Sequence, residues 1–278
     1  MKKSTALRSP RQLRIALCPD KVAVAYIERG WRARIAGKQV VDVETASDQP
    51  WRAPLAALEN ILAEIKGPQI AATVILSNHF VRYAVVPWND GVDSAAEQTA
   101  FARHCFRNVY GDAEENWDIR VSDGGFRRNA LAAAVDRDLS GGLVRLFAAR
   151  AVPLLSLQPH FMAACNRFHR ELASHERGCF AVLERGRAAI GIYDAAGWRT
   201  LTARRVGAPD AVALAPVIAQ EALSAPEAPR RLWVAAVEYP QLELTIAGWT
   251  VRPLRLKAQR GFSPFDDPGC AMALCGVA

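Results

Sequence analysis

Apolar residues alternate with a period of two at the start of the chain. LRIALC (13–18) and KVAVAYIERG (21–30) flank a Pro19-Asp20 corner and predict a β-hairpin. WRARIAGKQVVDVE (31–44) continues the meander through Gly37. The period then lengthens. In APLAALENILAEIKG (53–67), Leu55, Leu58, Ile61, Leu62 and Ile65 recur at helical spacing, with Gly67-Pro68 as the stop. AATVILS (71–77) reads as a buried strand and FVRYAVVPW (80–88) as a second. Between them sits the polar trio Ser77-Asn78-His79, read as an exposed hairpin corner where Asn tolerates the awkward backbone angles.

A helix is predicted over 92–110, with Ala102, Cys105, Phe106 and Val109 on one face. NWDIRVSD (116–123) and RRNALAAAVD (127–136) read as strands paired across Gly124-Gly125. A helix over 138–150, the strand VPLLSLQ (152–158) and a helix over 160–175 follow. Three strands span 179–207, turning at Arg185-Gly186 and Ala196-Gly197. A helix over 209–224 contains Pro216 and is kinked there or begins there. RRLWVAAVE (230–238) is a strand, LELTIAGW (242–249) a helix, TVRPLRL (250–256) a strand and PGCAMALCGVA (268–278) a final short helix. A three-stranded meander thus enters an α/β layer twice, near 13 and near 179. That repetition predicts an α/β chain made of a duplicated ribonuclease-H-like unit, not a Rossmann chain. The expected organisation is a basic flexible tail (1–12), a first half (13–91), an inserted small α+β subdomain (92–150), and a second half (151–278) whose last helix returns to the first.

Composition adds little to this picture and excludes some alternatives. Of 278 residues, 51% are hydrophobic and 23% charged, as in an ordinary globular protein. No run approaches the ~18 apolar residues of a membrane span, and charges with Pro10 interrupt any signal-peptide core in MKKSTALRSPRQLRIALCPDK. A cytoplasmic location is expected. The net charge is +7. Lys2, Lys3, Arg8, Arg11 and Arg14 gather near the N-terminus, in a solvated tail that offers a contact to anionic lipid. Six scattered cysteines without a C-x-x-C pair read as small buried hydrophobes.

Candidate chemistry is sparse. His104, His160, His169 and His175 show no metal-ligand spacing, and neither a G-x-S-x-G elbow nor a P-loop is present. Asp20 with Glu184 does not make a two-metal nuclease site, which needs several inward acids where strand 13–18 offers none. Gly141-Gly142 reads as loop punctuation. The Arg204-Arg205 and Arg230-Arg231 pairs lack interleaved aromatic platforms, so they read as solvated charge and no nucleic-acid partner is expected.

The order of elements resembles the actin-like assembly proteins of type IV pilus and type II secretion machines, the PilM-like proteins and the cytoplasmic domain of GspL. VILSNHFVRYAVVPW (74–88) is similar to their strand–turn–strand, with Arg82 and Val86-Pro87 at the matching positions. GDAEENWDIRV, LAAAVDRDL and LFAARAVPLLSLQPHFMAACNRF follow the family's order. TARRVG (202–207) is similar to the Arg-x-x-Gly that closes the second meander, and DPGCAMALCGVA resembles the last helix. The resemblance covers nearly all of 13–278 and implies an actin-like fold.

Nucleotide-binding members open with Asp-x-Gly and, in the pilus branch, Val-Lys. Here Ala16, Cys18 and Ala23 occupy the Asp, Gly and Lys positions, and Val182 and Glu184 replace the second Asp-x-Gly. Ala cannot polarise a metal-bound water, and Cys does not allow the close backbone approach to phosphate that Gly does. VAAVEYPQLE also lacks the Gly-Gly that holds adenosine. The resemblance therefore implies a non-catalytic pseudo-ATPase without ATP or Mg. Its expected partners are a PilN-like bitopic inner-membrane protein, an assembly ATPase, and the membrane itself through peripheral contact. An ATP-binding protein with an unusual site, and a ribonuclease-H-like nucleic-acid enzyme, are the rival readings.

Overall fold

The computed structural model describes residues 11–28, 30, 33–44, 49–65, 70–92, 94–122, 124–207, 210–223 and 230–276. Lys2, Lys3 and Arg8 of the expected tail lie outside these residues. Arg11 and Gln12 already belong to β1 (Arg11–Leu17), which forms an antiparallel meander with β2 (Lys21–Glu28) and β3 (Arg34–Asp42). Helix α1 (Arg52–Glu64) buries Leu58, Ile61 and Leu62, then β4 (Ile70–Leu76) runs parallel to β1. The chain leaves this layer through β5 (Val81–Val86), α2 (Ala95–Tyr110), β6 (Trp117–Val121) and β7 (Ala130–Asp136). It returns by α3 (Arg137–Ala149) to β8 (Leu154–Pro159), parallel to β4. Helices α4 (His160–Arg167) and α5 (His169–Ala173) lead to a second meander, β9 (Gly178–Glu184), β10 (Arg187–Asp194) and β11 (Gly197–Arg205). Then come α6 (Ala211–Leu223), β12 (Arg231–Ala235), β13 (Thr250–Leu254), a 3-10 turn (Pro268–Cys270) and α7 (Ala271–Leu274).

The two large sheets have the same order, β3-β2-β1-β4-β8 and β11-β10-β9-β12-β13. In each, an antiparallel meander is extended by two parallel strands. The central strands are covered on both faces, which is why β4 and β9 read as near-continuous apolar runs. One core passes through both halves: Ile15, Leu17 and Ile75 of the first sheet join Phe180 and Val182 of the second, with Phe161 of α4 and Met272 and Leu274 of α7. A separate core lies between the second sheet and α6, with Ile190, Leu214 and Ile218. A third, around Phe106, fills the small subdomain.

Several expectations change. β4 and β5 do not form a hairpin: β4 lies between β1 and β8, whereas β5 edges a three-stranded sheet of order β5-β7-β6. Alternation assigns strands but not their neighbours. The small sheet therefore begins at Val81, ahead of the expected boundary at 92, and α3 packs on α1 of the first half. The helix expected over 160–175 breaks at Phe168, whose ψ of 21° leaves the helical range. Residues 242–249 form no helix. Leu242, Leu244 and Ile246 alternate with Glu243 and Thr245, a period of two, and Gly248 turns the chain at φ +76°. Val109, placed on the buried face of α2, is exposed; the face that packs carries Ala102 and Phe106.

Candidate functional site: the cleft between the two halves

Two tight turns oppose each other across the cleft. In the β1–β2 turn the Cys18 amide donates to the Lys21 carbonyl. The β9–β10 turn needs φ +73° at Gly186, a conformation glycine adopts without strain, and the His79 ring packs beside it. Ion pairs join the halves here: Lys21 Nζ lies 2.6 Å from Glu238, and Arg185 Nη1 lies 3.4 Å from Asp20.

The centre is Glu184, the last residue of β9, buried with its charge. Its carboxylate accepts from the Ser77 hydroxyl, from the Asn78 amide at 2.9 Å and from His160 Nδ1 at 2.7 Å. Asn78 is fully buried too, and its Oδ1 accepts from the Tyr83 hydroxyl at 2.5 Å and the Phe161 amide at 3.2 Å. The His79 Nε2 donates to the Arg185 carbonyl at 2.9 Å, which fixes its tautomer. The trio 77–79 is therefore not an exposed corner. It is the first half's polar contact with the second.

Electrostatics fit this wiring. Burial pushes the Glu184 carboxyl up, but the hydrogen bond and charge of His160, with the Asn78 amide and Ser77 hydroxyl, hold it below the ordinary range. Burial pushes His160 down, yet Cys275 beside it and Glu184 raise it above the ordinary imidazole value. Its Nε2 makes no hydrogen bond of normal geometry among the described residues. Burial, then Glu238 and Glu184, push the Cys18 thiol well up. Burial opposes the Lys21 ammonium, and Glu238 more than offsets it.

The sequence-assigned positions fall around this network. Ala16 and Ala23 are directly paired on β1 and β2 and fully buried, and Val182 pairs with Ala189 and Ala235. Cys18 and Glu184 do come together. With Asp20, Ser77, Glu238 and Met272 they line a pocket of about 160 Å³, into whose floor Cys18 Sγ approaches Met272 Sδ at 3.6 Å. Arg11, at the start of β1, lies at the opposite end of that strand. Sequence spacing does not single out Ser77, Asn78, His160, Lys21 and Glu238 as site residues. His160 has no ligand spacing to the other histidines, and Asn78 meets a residue 106 positions away.

Chemically, the order of groups matters. Glu184 stands between Ser77 and His160, so the imidazole does not face the hydroxyl, and the nucleophile–base–orienter sequence of covalent catalysis is not formed. No cluster of three or more metal-ligating side chains exists among the described residues.

No protein-family model matches the chain, and no curated protein matches it in sequence. Solved structures do match. The chain is similar to the cytoplasmic domain of EpsL, an inner-membrane component of the type II secretion system of Vibrio cholerae. That likeness has 16% identity and a TM-score of 0.58 over 88% of this chain and 90% of that one. It is similar to the PilM–PilN type IV pilus biogenesis complex, at 12% identity and TM-score 0.61 over 95% and 96% of the chains. A Bacteroides thetaiotaomicron protein of unknown function with an actin-like ATPase fold is similar at 8% identity and TM-score 0.57, over 88% and 86%. The chain has the actin-like fold, a duplicated ribonuclease-H-like α/β unit carrying a small inserted subdomain.

Proposed function

We propose that the protein is a non-catalytic actin-like component of a type IV pilus or type II secretion-like assembly, acting through protein contacts at the inner membrane. The observation that carries this reading is the filled cleft. Where the fold's nucleotide-binding members present glycine and a metal-directing Asp to phosphates, this chain presents a buried Glu184 carboxylate already satisfied by Ser77, Asn78 and His160. The adjoining pocket of about 160 Å³ is lined by Asp20, Glu184 and Glu238, with His79 and with Arg185, which pairs with Asp20. That is well below the ~300 Å³ of the smallest ordinary ligand sites, and its carboxylates repel a polyphosphate. These residues do not fit ATP with Mg. The carboxylate holds the two halves in one arrangement without a ligand.

The likeness to the PilM–PilN complex over nearly the whole of both chains supports a partner of the PilN kind, a bitopic membrane protein. No helix among the described residues is long and apolar enough to cross a membrane. With a partner of this kind, the protein would sit at the cytoplasmic face, held there by that partner. An assembly ATPase is a further expected partner, and Lys2, Lys3, Arg8 and Arg11 a weak contact with anionic lipid. Titration calorimetry with Mg-ATP tests the cleft. Heat of micromolar binding, ~8 kcal/mol of real phosphate contacts, sinks the reading in favour of an ATP-dependent protein. Co-expression with the bitopic protein of the same assembly tests the partner: recovery with membranes should depend on that protein being present.

A further inference from the structure

The cleft network leaves three arginines beside it without a role. On β10, Ala188, Ile190 and Ile192 face the core under α6, so Arg187 and Ala189 face the opposite side, toward the first half and the small sheet. Arg187 stands directly across from Arg205 on β11 and from Glu184 on β9. Arg205 differs from its neighbour Arg204, which turns to α6 and donates to Glu221 at 3.2 Å. β5 of the small sheet packs along β11 on this same side and carries Arg82.

Three arginines from three strands and two structural units are thus brought to one seam, where the charges of Arg82 and Arg205 bear on Arg187. None makes an ion pair among the described residues, since both oxygens of Glu184 are committed to Ser77, Asn78 and His160. Arg82 Nη1 reaches only backbone carbonyls, those of His79 and Val81, at 3.5 and 3.4 Å. The Arg187 Nε is buried with no hydrogen-bond partner among the described residues. Burial, then the charges of Arg82 and Arg205, depress the Arg187 pKa. Like charges gathered with unused donors are costly unless an anion joins them.

We propose that Arg82, Arg187 and Arg205 form a binding site for a phosphate dianion at the seam between the small sheet and the second half. A carboxylate offers two oxygens, which one guanidinium fork fills; a phosphate offers enough acceptors for three donors and matches more of the charge. A phosphate there bridges β5 to β10 and β11, tying the small subdomain to the second half. The site is separate from the cleft pocket and does not depend on the assembly role proposed above.

The test is calorimetry and thermal unfolding with inorganic phosphate at constant ionic strength, on the wild type, Arg205→Gln and Arg82→Gln. Arg205 is exposed, so its replacement leaves the fold intact. Phosphate should raise the wild-type melting temperature saturably, and each substitution should weaken its affinity by about tenfold or more. Acetate at the same ionic strength should give no such rise. A glycerol phosphate arm separates the sources: tighter binding than inorganic phosphate points to a phosphate carried on a larger molecule, and equal binding to the free ion. Identical phosphate responses in wild type and variants, or an acetate response equal to that of phosphate, overturn the site.

Discussion

At the scale of single residues, the Glu184–His160 pair decides how the protein responds to pH. The folded form holds a proton on His160 beyond the pH at which the unfolded imidazole releases it. Its contribution is complete below pH 6.5 and fades as pH rises toward about 10. Glu184 titrates the other way: its contribution is complete above 4.5 and is lost as pH falls. The pair therefore stabilises most in the mildly acidic window between those values. Melting temperatures taken from pH 6.5 to 10 should decline in the wild type and decline less in His160→Gln; parallel curves would remove the pair from the account. Glu184→Gln at neutral pH leaves a buried charged partner uncompensated and should cost about 3–5 kcal/mol in urea unfolding. His79 carries a smaller stake. Read as an exposed corner, its removal would change stability by less than ~0.5 kcal/mol. The hydrogen bond to the Arg185 carbonyl raises that expectation for His79→Ala to about 0.5–1.5 kcal/mol.

At the scale of elements, the strands and helices with clean periodicity were legible in sequence, because burial on one face leaves a repeat of two or of 3.6 residues. β1 to β3, α1 and the second meander are of this kind. Periodicity does not supply the partner of a strand: β4 and β5 read as a hairpin but lie in different sheets. Nor could it show where a missing side chain is the point. Gly191 on β10 lies under an aromatic cluster that joins the halves: Phe161 packs on Tyr83, Phe180 and Trp198 with ring centroids 5.2–5.8 Å apart. A Cβ at Gly191 would sit 2.5 Å from the Trp198 ring and 3.1 Å from Phe161. Gly191→Ala should thus destabilise by about 1–3 kcal/mol through overpacking and shift tryptophan emission as Trp198 is displaced. Unchanged stability and emission would mean that the ring swings aside freely.

At the scale of the whole molecule, the duplication was legible because each meander announces its own α/β layer, while the site was not. Glu184 departs from a nucleotide-binding pattern in the sequence itself, but its partners Asn78 and Ser77 are 106 and 107 positions away and no local spacing encodes their meeting. Those meetings have a mechanical consequence. The core is continuous through both halves, α7 at the end of the chain packs on β1, β2 and β4, and the cleft is bound across by Lys21–Glu238, Asp20–Arg185 and the Glu184 network. An actin-like enzyme that works by opening and closing needs a weak seam there; a platform that presents surfaces to partners needs a strong one. Native-state hydrogen exchange separates these cases, because amides of separately opening units exchange with different free energies. The amides of β1 and β9 should open with free energies within about 1 kcal/mol of each other, and Mg-ATP should leave both unchanged. Exchange in β9 at a much lower free energy than in β1, narrowed by nucleotide, would instead describe a hinged, ligand-closed molecule, and the filled cleft would then be only one of its states.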